Sequence, residues 1–122
     1  MKKILIVEDE AHMRKFYTDL LTNDYEIAIA NDGHEAFQKA TREGADCIIT
    51  DIKMPDWDGA QEIRNLDVTG LDIKIIVASG FLTDELNTEL MGYPAVVACL
   101  RKPFSLDELR NALADALGDG QE

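Results

Sequence analysis

The sequence predicts an α/β domain built on a doubly wound, five-stranded parallel sheet. Three observations lead there. Four short apolar runs, rich in β-branched residues and bounded by polar ones, have the composition of strands buried on both faces: ILIV at 4–7, CII at 47–49, IKIIVA at 73–78 and AVVACL at 95–100. Segments of helical period lie between them. Strands that alternate with helices in one short chain require a parallel sheet with right-handed crossovers and helices on both faces.

Along the chain, the first run, 4–7, is followed by a helical stretch from His12 to Leu21 with Met13, Phe16, Tyr17, Leu20 and Leu21 on one stripe. A weaker alternation from Tyr25 to Ala30 supplies a strand nearer the edge of the sheet. Asn31-Asp32-Gly33 forms a turn that caps a helix over 33–42, with Ala36, Phe37 and Ala40 inward. After the run at 47–49, a helix is expected around Ala60 to Asn65, and after 73–78 another over Thr83 to Met91. The last helix is marked by Ser105 and Glu108 at capping-box spacing, by Leu106, Leu109, Leu113 and Leu117 along one face, and by Gly118 at its end.

A chain of 122 residues is the size of one domain, and 46% hydrophobic with 30% charged residues is the balance of a globular protein. The formal net charge of −12 repels polyanions, so direct nucleic-acid binding is not expected. Cys47 and Cys99 sit among apolar residues without metal or redox spacing and are expected as buried free thiols in a reducing compartment. The apolar stretch after MKK is only ILIV before Glu8, Asp9 and Glu10 interrupt it, too short for a signal peptide or a membrane span. A cytoplasmic location is the expectation.

In a doubly wound sheet, ligands bind beyond the carboxyl ends of the strands, so the residues that end the strands carry the chemistry. The first run ends in Glu8-Asp9-Glu10 and the third strand in Asp51, and in the doubly wound order these strands are neighbours. Clustered carboxylates repel unless protonated or bridged, and a hard cation such as Mg2+ suits oxygen ligands. The competing reading, that acidic residues merely favour the starts of the following helices, is preferred for Glu10. Strand four ends in Ala78-Ser79-Gly80 and strand five runs into Arg101-Lys102-Pro103-Phe104, bringing a hydroxyl and an ammonium to the same edge. Alone, Ser79 reads as a turn residue and Lys102 as a surface charge. Together with a carboxylate nucleophile and a cation, they can stabilise the oxygens of a transferring phosphoryl group.

VEDE, TDIKMPDWDG, VASG and RKPF, in this order and spacing, resemble the response-regulator receiver family over essentially the whole chain, and Asp51 to Gly59 is the most specific part. The resemblance implies a flavodoxin-like (βα)5 fold with strand order 2-1-3-4-5 and one receiver domain over residues 1–122. It implies that Asp51 is the phosphoacceptor and that Glu8 and Asp9 bind Mg2+ directly or through water, with the backbone carbonyl of Lys53 as a further ligand. Ser79 would bond the phosphoryl oxygen, Lys102 would pair with it, and Met54, Pro55 and Gly59 would shape the loop after Asp51. A cis Lys102–Pro103 peptide is implied as well. The phosphodonor would be a histidine kinase or histidine phosphotransfer protein, with acetyl phosphate as a small substitute; the domain would catalyse its own phosphorylation and slow dephosphorylation without being a conventional enzyme. The output partner is unknown, and the fourth helix, fifth strand and fifth helix, roughly Thr83 to Leu117, are the implied output face and a candidate homodimer contact.

Cys99 stands three residues before Lys102, where the family often has an inward-swinging Tyr or Phe, so Phe81 or Tyr93 is expected to supply the missing bulk. Residues 81–98, with Gly92-Tyr93-Pro94, are the least family-like stretch. Lys53 and Phe81 stand where the family tunes access of hydrolytic water, and an apolar Phe81 implies slow self-dephosphorylation. Trp57 reads equally as a packing residue or a gate, and His12 and His34 as surface histidines. Two rivals remain: a pseudo-receiver that only binds proteins, and a Mg2+-dependent phosphohydrolase, for which Ile52-Lys53 offers no second acid beside Asp51.

Overall fold

Strands β1 (Lys3–Val7), β2 (Glu26–Ala30), β3 (Cys47–Thr50), β4 (Lys74–Ser79) and β5 (Val96–Arg101) alternate with helices α1 (Ala11–Leu21), α2 (Gly33–Glu43), α3 (Gly59–Thr69), α4 (Asp84–Met91) and α5 (Leu106–Leu117) in the computed structural model. The structure describes residues 1–52 and 59–118. All strand pairs are parallel and the order is β2-β1-β3-β4-β5, as the resemblance implies. The weaker alternation of β2 follows from its place at the edge, where Glu26 is exposed and Ala30 alone is fully covered.

Side chains alternate across each strand, and the sheet therefore separates two cores. Leu5, Val7, Ile48, Ile75 and Val77 face Ala36 and Ala40 of α2, Ile63 and Leu66 of α3, and Leu90 of α4. Ile4, Ile6, Cys47, Ile49, Ile76 and Ala78 face Tyr17 and Leu21 of α1 and Leu109, Ala112, Leu113 and Ala116 of α5. In β5 the alternation is interrupted. Ile75 pairs with Val96 but Ile76 pairs with Ala98, so Val97 is an extra residue, and Val97 and Ala98 both pack on the α1/α5 side. Beyond the slip the register is regular and sets Ser79 opposite Arg101.

Helix starts follow the local chemistry of the chain. The Asp32 side chain accepts the Glu35 N–H at 2.8 Å, Thr83 accepts that of Leu86 at 3.1 Å, and Ser105 and Glu108 form a reciprocal capping box at 3.0 and 2.7 Å. Glu10 occupies the N-cap position of α1, but its carboxylate makes no cap hydrogen bond and instead faces His12 Nε2 at 4.0 Å. Helices α2 and α5 end at Gly44 (φ 80°, ψ 161°) and Gly118 (φ 77°, ψ −176°), in a region essentially reserved for glycine.

The structure corrects three details of burial and one helix boundary. Phe16 is exposed and lies edge-on to Tyr17, because it sits on the flank of the α1 stripe rather than its centre. Leu106, in the first turn of α5, is exposed ahead of the buried pair Leu109 and Leu113. Cys47 is fully buried, whereas Cys99 is only partly covered beside the α2/α3/α4 core. Helix α3 runs to Thr69, beyond the expected Asn65. The Lys102–Pro103 peptide is cis. Among the described residues, no helix is long and apolar enough to cross a membrane.

Candidate functional site

Strands β1 and β3 are neighbouring inner strands of the sheet, and Val7 and Thr50 are the last residues paired between them. The chain continues one residue further on each side. Asp51 donates its N–H to the Val7 carbonyl at 3.1 Å, and Glu8 donates its own to the Ala30 carbonyl at 3.2 Å, so both acids leave the sheet at the same height. One carboxylate oxygen from each of Glu8, Asp9 and Asp51 lies within 4.8 Å of the others. Glu8 and Asp51 are buried, at 2% and 6% exposure, and Asp9 is exposed.

The Lys102 ammonium lies between the two buried acids, 3.0 Å from Glu8 Oε1 and 3.4 Å from Asp51 Oδ2. Its backbone N–H reaches the Ser79 carbonyl at 3.0 Å, which fixes the end of β5 beside the end of β4. Ser79 is fully buried. Its hydroxyl donates to the Ile52 carbonyl at 2.8 Å and accepts the Phe81 N–H at 3.0 Å. The structure thus brings together Glu8, Asp9, Asp51, Ser79 and Lys102, the side chains picked out at the strand ends. Lys53, Met54, Pro55 and Trp57 lie outside the described residues; Gly59 opens α3.

Two further residues belong to the surroundings of the acids. Arg14 of α1 donates from Nη1 to the Glu8 carbonyl at 3.0 Å and to Asn31 Oδ1 at 3.4 Å, tying the acidic turn to the end of β2. Its spacing from Glu8 carries no recognisable pattern, since the contact is to a main-chain atom. The Tyr17 phenol is buried under the site, and burial, with Glu8 and Asp51 adding their negative charge, pushes its pKa well above the ordinary value. Burial likewise raises the thiols, Cys47 to about 12 and Cys99 to about 11. Tyr93 and Cys99 both pack against the α2/α3/α4 core, while Phe81 is 60% exposed.

Three carboxylate oxygens in so small a space are hard donors, and that donor set fits a hard divalent cation such as Mg2+. With a hydroxyl and an ammonium nearby, this edge of the sheet gathers carboxylates, a hydroxyl and a cationic donor in one cluster.

Comparison with known proteins gives a consistent result. A family model described as the response regulator receiver domain matches residues 4–114. The response regulator receiver protein CpdR of Brucella abortus is 32% identical over 118 residues, covering 96% of this chain and 98% of that protein. The response regulator MprA of Mycobacterium leprae is 35% identical over 109 residues, covering 88% of this chain and 47% of its own length. The chain therefore spans about half the length of the MprA relatives. Among solved structures, the response regulator protein TrrA of Thermotoga maritima, in complex with Mg(2+)-BeF, superposes with a TM-score of 0.81 at 30% identity, covering 96% of this chain and 100% of that one.

Proposed function

The chain belongs to the response regulator receiver domain family, and on that premise we propose that Asp51 is the residue that takes the phosphoryl group in this two-component signalling domain. Residues 1–122 act as one such domain in this reading. The donor is a phosphohistidine of a histidine kinase or phosphotransfer protein. An Asp51 carboxylate oxygen attacks phosphorus, the P–N bond breaks, and its electron pair leaves with the imidazole nitrogen; with acetyl phosphate the bond that breaks is P–O and acetate leaves.

Glu8, Asp9 and Asp51 would hold Mg2+, with the Lys53 carbonyl as the further ligand, and the ion supplies charge neutralisation for the phosphoryl oxygens when bound. The likeness to TrrA, solved with Mg(2+)-BeF, supports this assignment. Lys102, already held between Glu8 and Asp51, faces a phosphoryl oxygen once Asp51 carries the acyl phosphate. The Ser79 hydroxyl has a single proton, so bonding the phosphoryl group requires it to leave the Ile52 carbonyl. The exposed phenyl ring of Phe81 offers a hydrolytic water no hydrogen bond, which favours slow loss of the phosphoryl group. The reading extends to a cytoplasmic domain whose output face, and homodimer contact if one forms, is built from α4, β5 and α5.

The observation that carries this proposal is the single ammonium shared by two buried acids next to a buried hydroxyl. Incubation with Mg2+ and acetyl phosphate should give one acid-stable, base-labile adduct on Asp51, found by mass spectrometry after proteolysis. An adduct of unchanged yield in Asp51→Asn, or with excess chelator, would overturn the assignment. Failure to form any adduct would favour a domain that only binds proteins.

A further inference from the structure

Arg101 is the last residue of β5, opposite Ser79 in the sheet. Its side chain leaves the site and reaches the segment that leads from β4 into α4. Nε donates to the Leu82 carbonyl at 3.1 Å and Nη2 to Asp84 Oδ1 at 2.7 Å, where Asp84 is the first residue of α4. The same segment is fastened at its other end by Ser79, whose hydroxyl accepts the Phe81 N–H. Residues 79–84 are therefore tied twice, once to the hydroxyl at the phosphorylation site and once to the strand end that carries Lys102.

We propose that Arg101 is a positioning residue that anchors Leu82–Asp84 to β5 in the unphosphorylated chain and transmits the state of Ser79 to α4. This rests on the function proposed above and adds the route of the readout. When the Ser79 proton goes to a phosphoryl oxygen, the Ile52 carbonyl loses its donor and the Phe81 N–H its fixed acceptor. Residues 80–84 then shift against β5, and the guanidinium fork must break or re-form. Position 99, opposite Val77 in the sheet, holds a thiol and not a ring, so the guanidinium fork supplies a connection that does not depend on an aromatic side chain there. The Leu82 carbonyl is the stronger anchor. The ion pair to Asp84 is exposed, with Asp84 at 95%, and exposed pairs contribute little.

The test compares amide hydrogen exchange in the full chain, with and without acetyl phosphate and Mg2+, for wild type, Arg101→Ala and Arg101→Lys. In Arg101→Ala, the unphosphorylated chain should lose protection over residues 82–88 by about fivefold, the equivalent of one hydrogen bond of about 1 kcal/mol. The phosphorylation-induced change over 80–88 should fall well below that of wild type, while adduct yield on Asp51 and protection of β1 and β3 stay unchanged. Arg101→Lys keeps the positive charge but not the fork, and it should behave like Arg101→Ala. It also serves as the working variant if Arg101→Ala does not fold. A wild-type exchange response in a phosphorylated Arg101 variant overturns the proposal and leaves the Asp51 assignment standing. Absence of any adduct in wild type overturns both.

Discussion

Lys102 has two partners, and they differ in what its loss would cost them. The Glu8 side chain is 1% exposed and relies on the ammonium at 3.0 Å. Removing one partner of a buried pair leaves an uncompensated charge, so Lys102→Met should lower stability in chelator by about 3 kcal/mol. Added Mg2+ should restore part of that loss by replacing the missing cation. Asp51→Asn should cost much less, because Lys102 keeps Glu8. Urea denaturation of the variants checks both statements; a loss below about 1 kcal/mol for Lys102→Met would show that Glu8 does not depend on the lysine. Glu8, Asp51, Ser79 and Lys102 were legible in the sequence because each stands within two residues of the end of an apolar run, which places it at one edge of the sheet. Arg14 and Arg101 were not, because one hydrogen bond of each goes to a main-chain carbonyl and the other to a side chain far along the chain. A main-chain acceptor leaves no mark on the residue types.

The sequence marks α2 and α5 by their caps, α1 by its apolar stripe and the strands by their apolar runs, and all of these signals are local. Asp32, Thr83 and the Ser105/Glu108 box stand where their hydrogen bonds place them. The end of α3 lies beyond the expected Asn65 because, of its described residues, only Ile63 and Leu66 are buried among many polar ones, a weak stripe. The slip in β5 was invisible for the opposite reason, since AVVACL is apolar throughout and a uniform run has no parity to read. At the C-terminus of α2 the backbone itself is decisive. A Cβ at Gly44 would meet nothing within 4 Å, so packing is indifferent, but φ 80° with ψ 161° is closed to other residues. Gly44→Ala should therefore destabilise by about 1–3 kcal/mol through strain alone. Equilibrium denaturation that finds the variant unchanged would mean that the chain relaxes there without cost.

Across the whole molecule, one sheet divides two cores, and several titratable groups lie within or beside them. Tyr17, Cys47, Tyr25 and Cys99 all have raised pKa values, with burial the leading cause in each. The sign follows from proton counting. As pH rises past the ordinary thiol value of 9.0, the unfolded chain releases protons that the folded chain keeps up to about 12 at Cys47. Stability should fall over that window, and Cys47→Ala should flatten the decline. An equal slope in the variant, by urea denaturation at graded pH, would exclude the buried thiol as a cause. The parallel, doubly wound sheet was legible because crossover rules leave few arrangements for alternating strands and helices, and the order 2-1-3-4-5 came from the resemblance to the receiver family. The extra residue in β5 has one more consequence, for how the chain tolerates changes in length. Val97 is surplus to the pairing with β4: a chain lacking it would still set Ile76 against Ala98 and Ser79 against Arg101. Removal of Cys99 would instead displace Arg101 and Lys102 by one position and exchange their faces. The Val97 deletion should thus retain the Asp51 adduct and the Cys99 deletion should lose it, a difference that mass spectrometry of the two shortened chains would expose. The fifth strand carries a spare link, and evolution or an engineer could remove it without disturbing the lysine that it delivers.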